Sequence, residues 1–118
     1  MKILVLSMLC ACSLLSCAKF SLTDANAIQK GMSYSEVISK VSKKPMKEFD
    51  ITIYSAPSKK YFVQVYELHN GGDNSDYLAV FENDKLLYWG YPYEFNRHPD
   101  ATLNEIGKTA VAEYEKLK

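Results

Sequence analysis

The sequence predicts a small α+β domain in which helices pack on an antiparallel sheet, and three observations support this fold class. Apolar residues recur at helical spacing near both ends of the chain. Between these regions apolar and polar residues alternate, as in strands with one buried face. Short links with Gly, Asn and Asp join the alternating segments. The predicted order is a helical hairpin, a four-stranded antiparallel meander and a C-terminal amphipathic helix.

The first predicted helix is short. Thr23 or Asp24 can cap its beginning, and the helix is expected to run to about Lys30. Gly31 follows at the position where a helix commonly ends in a left-handed turn. A tight turn at this glycine would place the next helix against the first.

The second helix has a sharper predicted start. Ser33 and Glu36 have the spacing of a capping box, in which each side chain satisfies the other residue's backbone N–H. Met32 and Val37 flank the box at the spacing of a hydrophobic staple. Pro45 closes the segment.

The alternating pattern predicts strands over 49–53, 61–69, 77–82 and 85–91. A polar hairpin loop is expected over Asn70–Asp76, and a tight turn at Asn83 and Asp84. After a polar loop, apolar residues at helical spacing predict a helix over 101–117, with Asp100 as its cap.

The N-terminal segment is not expected to belong to the fold. Ile3–Leu15 is an apolar run that is too short to span a bilayer but is typical of a secretory signal. The run ends in Leu14-Leu15-Ser16-Cys17, which resembles the lipobox of bacterial lipoproteins. This resemblance implies a signal peptide over 1–16, lipid on Cys17, a tether over 17–22 and a single domain over 23–118.

Two alternatives to this interpretation of the N-terminus stay open. A buried N-terminal helix would normally need a polar face, and Ile3–Leu15 has none. A second cleavage position precedes Cys12, but it leaves a shorter apolar run than Cys17 does.

Composition excludes several classes of function. Every cysteine lies at or before Cys17, so the mature domain has no thiol for a disulfide, a zinc site or a nucleophile. The mature charge is near zero, which gives no electrostatic basis for binding nucleic acid. Lysines cluster at the end of the second helix, where a solvated helix end is favoured over contact with anionic head groups; they are Lys40, Lys43, Lys44 and Lys47.

Two polar clusters are candidates for chemistry. His69, Asp73 and Asp76 do not follow the calcium-loop pattern, and hairpin loops use such residues for backbone reasons. The second cluster is Glu94, Arg97, His98 and Asp100, of which Glu94 and His98 are candidates for acid–base work. A loop with a local ion pair and a helix cap accounts for it more simply. We therefore expect no enzyme, metal, cofactor or small-molecule substrate.

The chain is rich in aromatic residues at the end of the fourth predicted strand, where Tyr88, Trp89, Tyr91 and Tyr93 are candidate partner-binding residues. Because strand residues alternate between faces, Tyr88 is expected on one side and Trp89 and Tyr91 on or near the other. Both faces of the sheet are predicted to be apolar. The hairpin covers one, and the last helix is favoured over a partner protein as the cover of the other.

The segment from Ile28 to Val37, Ile28-Gln29-Lys30-Gly31-Met32-Ser33-Tyr34-Ser35-Glu36-Val37, with Pro45 following, resembles the signature of the SmpA/OmlA (BamE-like) outer-membrane lipoproteins. The resemblance implies two helices followed by an antiparallel sheet, a fold also shared with the β-lactamase inhibitor protein. Its nearest functional implication is an accessory role in assembling outer-membrane β-barrels. The chain departs from the family at Ser42–Pro45, where the family has Gly-x-Pro, and in its terminal helix.

The expected function is that of a non-enzymatic envelope lipoprotein, held to a membrane by lipid on Cys17, whose domain binds another envelope protein. Ala18 after the cysteine, rather than Asp, fits sorting to the periplasmic face of the outer membrane. The alternative is an inhibitor or sensor domain that binds a soluble or secreted enzyme.

Overall fold

The structure, a computed structural model, describes residues 20–41, 43–55, 57–70 and 72–118. The predicted signal peptide and Cys17 therefore lie outside the described residues. The elements are α1 (Leu22–Asn26), α2 (Tyr34–Val41), β1 (Lys47–Ile53), β2 (Lys59–Asn70), β3 (Asp73–Glu82), β4 (Lys85–Gly90), α3 (Pro92–Asn96) and α4 (Ala101–Lys116). The predicted α+β class is confirmed.

The four strands form one antiparallel sheet in the order β1-β2-β3-β4. The predicted hairpin between β2 and β3 is confirmed, but its loop is shorter than Asn70–Asp76, because Asn70 ends β2 and pairs with Asp73, where β3 begins. Its polar composition reflects exposed strand residues rather than a long loop. The predicted turn at Asn83 and Asp84 is confirmed, with φ of 52° and 59°, the left-handed values of a tight hairpin.

A β-bulge in β4 changes which side chains share a face. Val80 pairs with Tyr88 and Phe81 pairs with Leu86, so Leu87 is the extra residue. As a result Leu87 and Tyr88 both pack on the face that α4 covers, and Trp89 returns to the opposite face.

The capping box of α2 is confirmed. Ser33 N–H donates to Glu36 Oε1 and Glu36 N–H donates to Ser33 Oγ, each at 3.2 Å. Met32 and Val37 pack in the same core, as the staple predicted. Gly31 has φ of 91°, which is the left-handed conformation that the predicted turn requires.

The first helix differs from its prediction at both ends. Ser21, not Thr23 or Asp24, caps α1, and Asp24 closes a second capping box with it. The helix ends at Asn26, well before Gly31. Ser21 lies within the predicted tether, so the fold begins earlier than predicted.

The hairpin is joined to the sheet by backbone hydrogen bonds. His69 N–H donates to Phe20 O at 2.9 Å, Gly31 N–H to Leu86 O at 2.8 Å and Leu86 N–H to Met32 O at 2.8 Å. Phe20 is fully buried, so the chain is already packed in the core at residues assigned to the tether. Ile28 and Val41 complete the apolar layer beneath the hairpin.

The last helix covers the opposite face, as predicted. Asp100 Oδ1 accepts from Thr102 N–H and Leu103 N–H and so caps α4. Ile106 and Ala110 bury completely against the sheet. The predicted loop before this helix is wrong in part, because α3 forms within it.

Candidate functional site

The aromatic end of β4 is divided between the two faces of the sheet, as the alternation predicted. Tyr88 packs edge-on against Phe95 and His98, with ring centroids 4.9 Å apart in both pairs. Trp89 lies on the hairpin face, and its Nε1–H donates to Ala25 O at 3.2 Å. These two candidate residues therefore join the layers of the fold.

Tyr91 and Tyr93 make a different arrangement. Their rings stack with centroids 5.4 Å apart and planes within 9°. Tyr91 also meets Tyr77 edge-on at 5.3 Å, while Tyr93 is 54% exposed. The guanidinium carbon of Arg97 lies 5.4 Å from the centre of the Tyr93 ring, within cation–π range. We call Tyr91, Tyr93 and Arg97 the tyrosine–arginine surface.

Helix α3 positions this surface. Pro92 begins the helix, where its fixed φ is favourable and its missing N–H is not needed. Glu94 Oε1 accepts from Tyr91 N–H at 2.9 Å, and Phe95 is completely buried. Since Arg97 follows Tyr93 by four residues, the two side chains lie one above the other. Pro92 and Glu94 are sequence signals that favour α3. Because a loop is predicted at these residues, the contact between Arg97 and Tyr93 is not predicted either.

Two tyrosines near the end of the sheet that carries the surface have raised pKa values. Burial raises the pKa of Tyr77, and the carboxylate of Glu94 raises it further. Burial, and then Glu94, also raise the pKa of Tyr88. Tyr77 thus supports Tyr91 as a neutral phenol, whereas Tyr88 packs on the opposite face of the sheet.

The polar cluster considered for acid–base chemistry is divided among local structural contacts. Glu94 accepts from Tyr91 N–H, whereas His98 Nδ1 accepts from Asp100 N–H at 3.0 Å. Arg97 lies over Tyr93. The structure therefore does not join Glu94 and His98 through a shared hydrogen bond.

Of the residues considered as metal ligands, which are His69, Asp73 and Asp76, His69 is close to another side chain. His69 Nε2 lies 3.0 Å from Glu67 Oε1. Asp76 is the register partner of Glu67 on β3, while the Asp73 side chain lies outside what the structure describes. Within the described ranges no group of three or more His, Cys, Asp or Glu could hold a metal ion.

A cleft of about 520 Å³ lies between the beginning of α4 and the sheet, with Tyr61, Tyr88 and His98 in its lining. Three of its charged groups are engaged within the fold. Lys59 Nζ lies 3.8 Å from Glu82 Oε1, and Asp100 caps α4. These three charged groups of the cleft therefore have structural partners.

The residues on which the predicted resemblance rests lie in the hairpin and its turn, except Pro45, which lies between α2 and β1. The residues concerned are Ile28, Gly31, Met32, Ser33, Glu36, Val37 and Pro45. No family model matches the chain, and no curated protein matches it. No helix of the described residues is long and apolar enough to cross a membrane.

Proposed function

We propose that the chain is a non-enzymatic envelope lipoprotein whose domain binds another envelope protein through the tyrosine–arginine surface. The observation that carries the proposal is the stacked pair of Tyr91 and Tyr93 with Arg97 over the outer ring. Tyrosine and arginine are enriched among the residues that contribute most to protein–protein binding.

The arrangement supports binding because the exposed ring is already ordered. Tyr93 stacks on Tyr91, which in turn packs against the buried Tyr77. A ring held in this way loses little conformational freedom when a partner covers it. Tyr54 is more exposed, at 82%, but has no ring contact among the described residues.

The proposed lipid anchor would keep this surface close to a membrane. Cys17 precedes the buried Phe20 by three residues, a span of at most about 11 Å when fully extended. The ring of Phe20 lies 5.7 Å from Tyr77, which supports Tyr91. A partner that reaches Tyr93 would therefore be a membrane protein or a protein that comes to the membrane.

The finer role follows only from the resemblance to the SmpA/OmlA lipoproteins. The order of two helices, an antiparallel sheet and the Gly31 turn supports it. On this basis the proposed role is an accessory of outer-membrane β-barrel assembly, on the periplasmic face of that membrane.

Site-specific photo-cross-linking in cells tests the proposal. A photoreactive residue at Tyr93 should capture one envelope protein, because Tyr93 lies in the proposed interface. The same residue at Tyr54 is the matched control, being an exposed tyrosine on the loop after β1, and should not capture that protein.

Capture of a barrel-assembly protein from Tyr93 would support the finer role, and capture of another envelope protein would support the general one. Capture of a soluble hydrolase would replace both with the inhibitor alternative. Equal labelling from Tyr54 and Tyr93, or none from either, would overturn the proposed surface.

A further inference from the structure

Lysines are concentrated where α2 leads into β1. Lys40, Lys44 and Lys47 are exposed, and none forms an ion pair with a described residue. Met46 lies among them with 38% of its surface exposed. We call residues 40–47 the lysine segment. We propose that it is the face on which the domain rests against an anionic bilayer, an inference that depends on the lipid anchorage proposed above.

Three successive contacts place the lysine segment beside the point where the chain enters the fold. Lys43 Nζ lies 3.9 Å from Glu67 Oε1, and the same oxygen lies 3.0 Å from His69 Nε2. His69 N–H in turn donates to Phe20 O at 2.9 Å. Since Cys17 is only three residues before Phe20, an anchored domain would hold these lysines close to the bilayer.

The lysine segment lies at a distance from the other lysines that form no ion pair with a described residue. Lys60 is the register partner of Thr52, five residues along β1 from Lys47, which corresponds to about 17 Å. Lys30 and Lys85 are exposed and lie near the end of the sheet that holds Lys60. Their position follows from the hydrogen bond of Gly31 N–H to Leu86 O and from the pairing of Glu82 with Lys85. Attraction to an anionic surface fades within a Debye length of about 8 Å at physiological salt. Lysines at the far end would therefore contribute little.

The lysine segment is also the place where this chain departs from the family signature, with Ser42-Lys43-Lys44-Pro45 in place of Gly-x-Pro. The resemblance therefore does not account for the lysines. Met46 is held in place, because its N–H donates to Val65 O at 2.7 Å. An exposed apolar side chain between lysines suits the boundary between head groups and acyl chains.

Amine labelling of the full lipidated chain in vesicles tests the inference. Vesicles of phosphatidylcholine alone are compared with vesicles that also contain phosphatidylglycerol, and labelling of each lysine is read by mass spectrometry. Each lysine near an anionic surface gains about fivefold in binding. Labelling of Lys40, Lys44 and Lys47 should thus fall on the anionic vesicles and recover in high salt, while labelling of Lys30 and Lys60 should not change.

Two sets of lysine replacements distinguish the contribution of the lysine segment from that of the lipid anchor. Replacement of Lys40, Lys44 and Lys47 by Gln should leave the chain bound to vesicles but abolish the protection of Met46 from peroxide on anionic lipid. The matched replacement of Lys30, Lys60 and Lys85 by Gln should keep that protection. Chains that float with the vesicles but show equal labelling at both lysine sets would overturn the lysine surface alone. Chains that do not float would overturn the anchorage, and this inference with it.

Discussion

The two faces of the sheet are covered by helices of different kinds. On one face α1 and α2 have 5 and 8 residues, too short to be stable in isolation. Their hairpin is fixed by backbone hydrogen bonds to β2 and β4. On the other face α4 has 16 residues and buries Ile106 and Ala110. Both covers pack on apolar cores, and the hairpin layer adds backbone hydrogen bonds to the sheet, which α4 does not form among the described residues.

The cores beneath the two covers differ accordingly. Gln64 is fully buried on the hairpin face, where its Oε1 accepts from Tyr66 O–H at 2.9 Å. Its Nε2 has no hydrogen-bond partner among the described atoms. Beneath α4 the buried residues are aliphatic and aromatic. The hairpin face should therefore be more sensitive to lost hydrogen bonds and to alkaline pH, and the α4 face to lost volume.

The largest effect is expected from Phe95→Ala on the α4 face. Phe95 is fully buried and packs edge-on against Tyr88, so truncation leaves a cavity beneath α3. The expected loss is about 3–5 kcal/mol of unfolding free energy, measured by urea denaturation. Tyr93→Ala is the control on the same helix and should cost no more than about 1.5 kcal/mol, the scale of one aromatic pair. Similar losses in the two variants would contradict the packing described for α3.

Alkaline pH should act mainly on the hairpin face. Burial raises the pKa of Tyr66 and of Tyr77 well above the ordinary value of 10.0. The folded state then keeps its phenolic protons where the unfolded state loses them. The stabilisation is complete below pH 10.0 and declines above it, by about 1.4 kcal/mol per pH unit for each tyrosine.

Urea denaturation between about pH 9 and pH 11 measures this slope. Tyr77→Phe removes one of the two most strongly shifted groups and should reduce the slope. The exposed Tyr54 provides the control, since Tyr54→Phe should leave the slope unchanged. A stability that does not vary over this range would contradict the burial of both phenols.

The sequence predicts the helices whose formation depends on local features such as a capping box or a helical periodicity of apolar residues. The Ser33–Glu36 box identified the beginning of α2, and the helical periodicity after Asp100 identified α4 almost to the residue. By contrast, α3 has only 5 residues, too few for a periodicity to appear, and it depends on the burial of Phe95. The bulge at Leu87 has no local signal because it is defined by pairing with β3.

The sequence predicts which residue types form the candidate site, but not how they are arranged. The surplus of aromatics pointed to the end of β4, but it could not distinguish the exposed Tyr93 from Tyr88 and Trp89. That distinction depends on the bulge and on α3, which turn the neighbouring side chains toward different layers. Arg97 was assigned to a polar cluster because its contact with Tyr93 exists only if α3 forms.

The smallest effect, and the sharpest test of the hairpin face, is expected from Tyr66→Phe. Removal of the hydroxyl leaves both polar ends of Gln64 buried without a partner, at a cost of about 1–3 kcal/mol. Combining it with Gln64→Leu should restore most of that loss, because both members of the pair then become apolar. A double-mutant cycle by urea denaturation measures the coupling. Strictly additive losses would show that the two side chains do not interact, and the hairpin face would then resemble the α4 face in depending on packing alone.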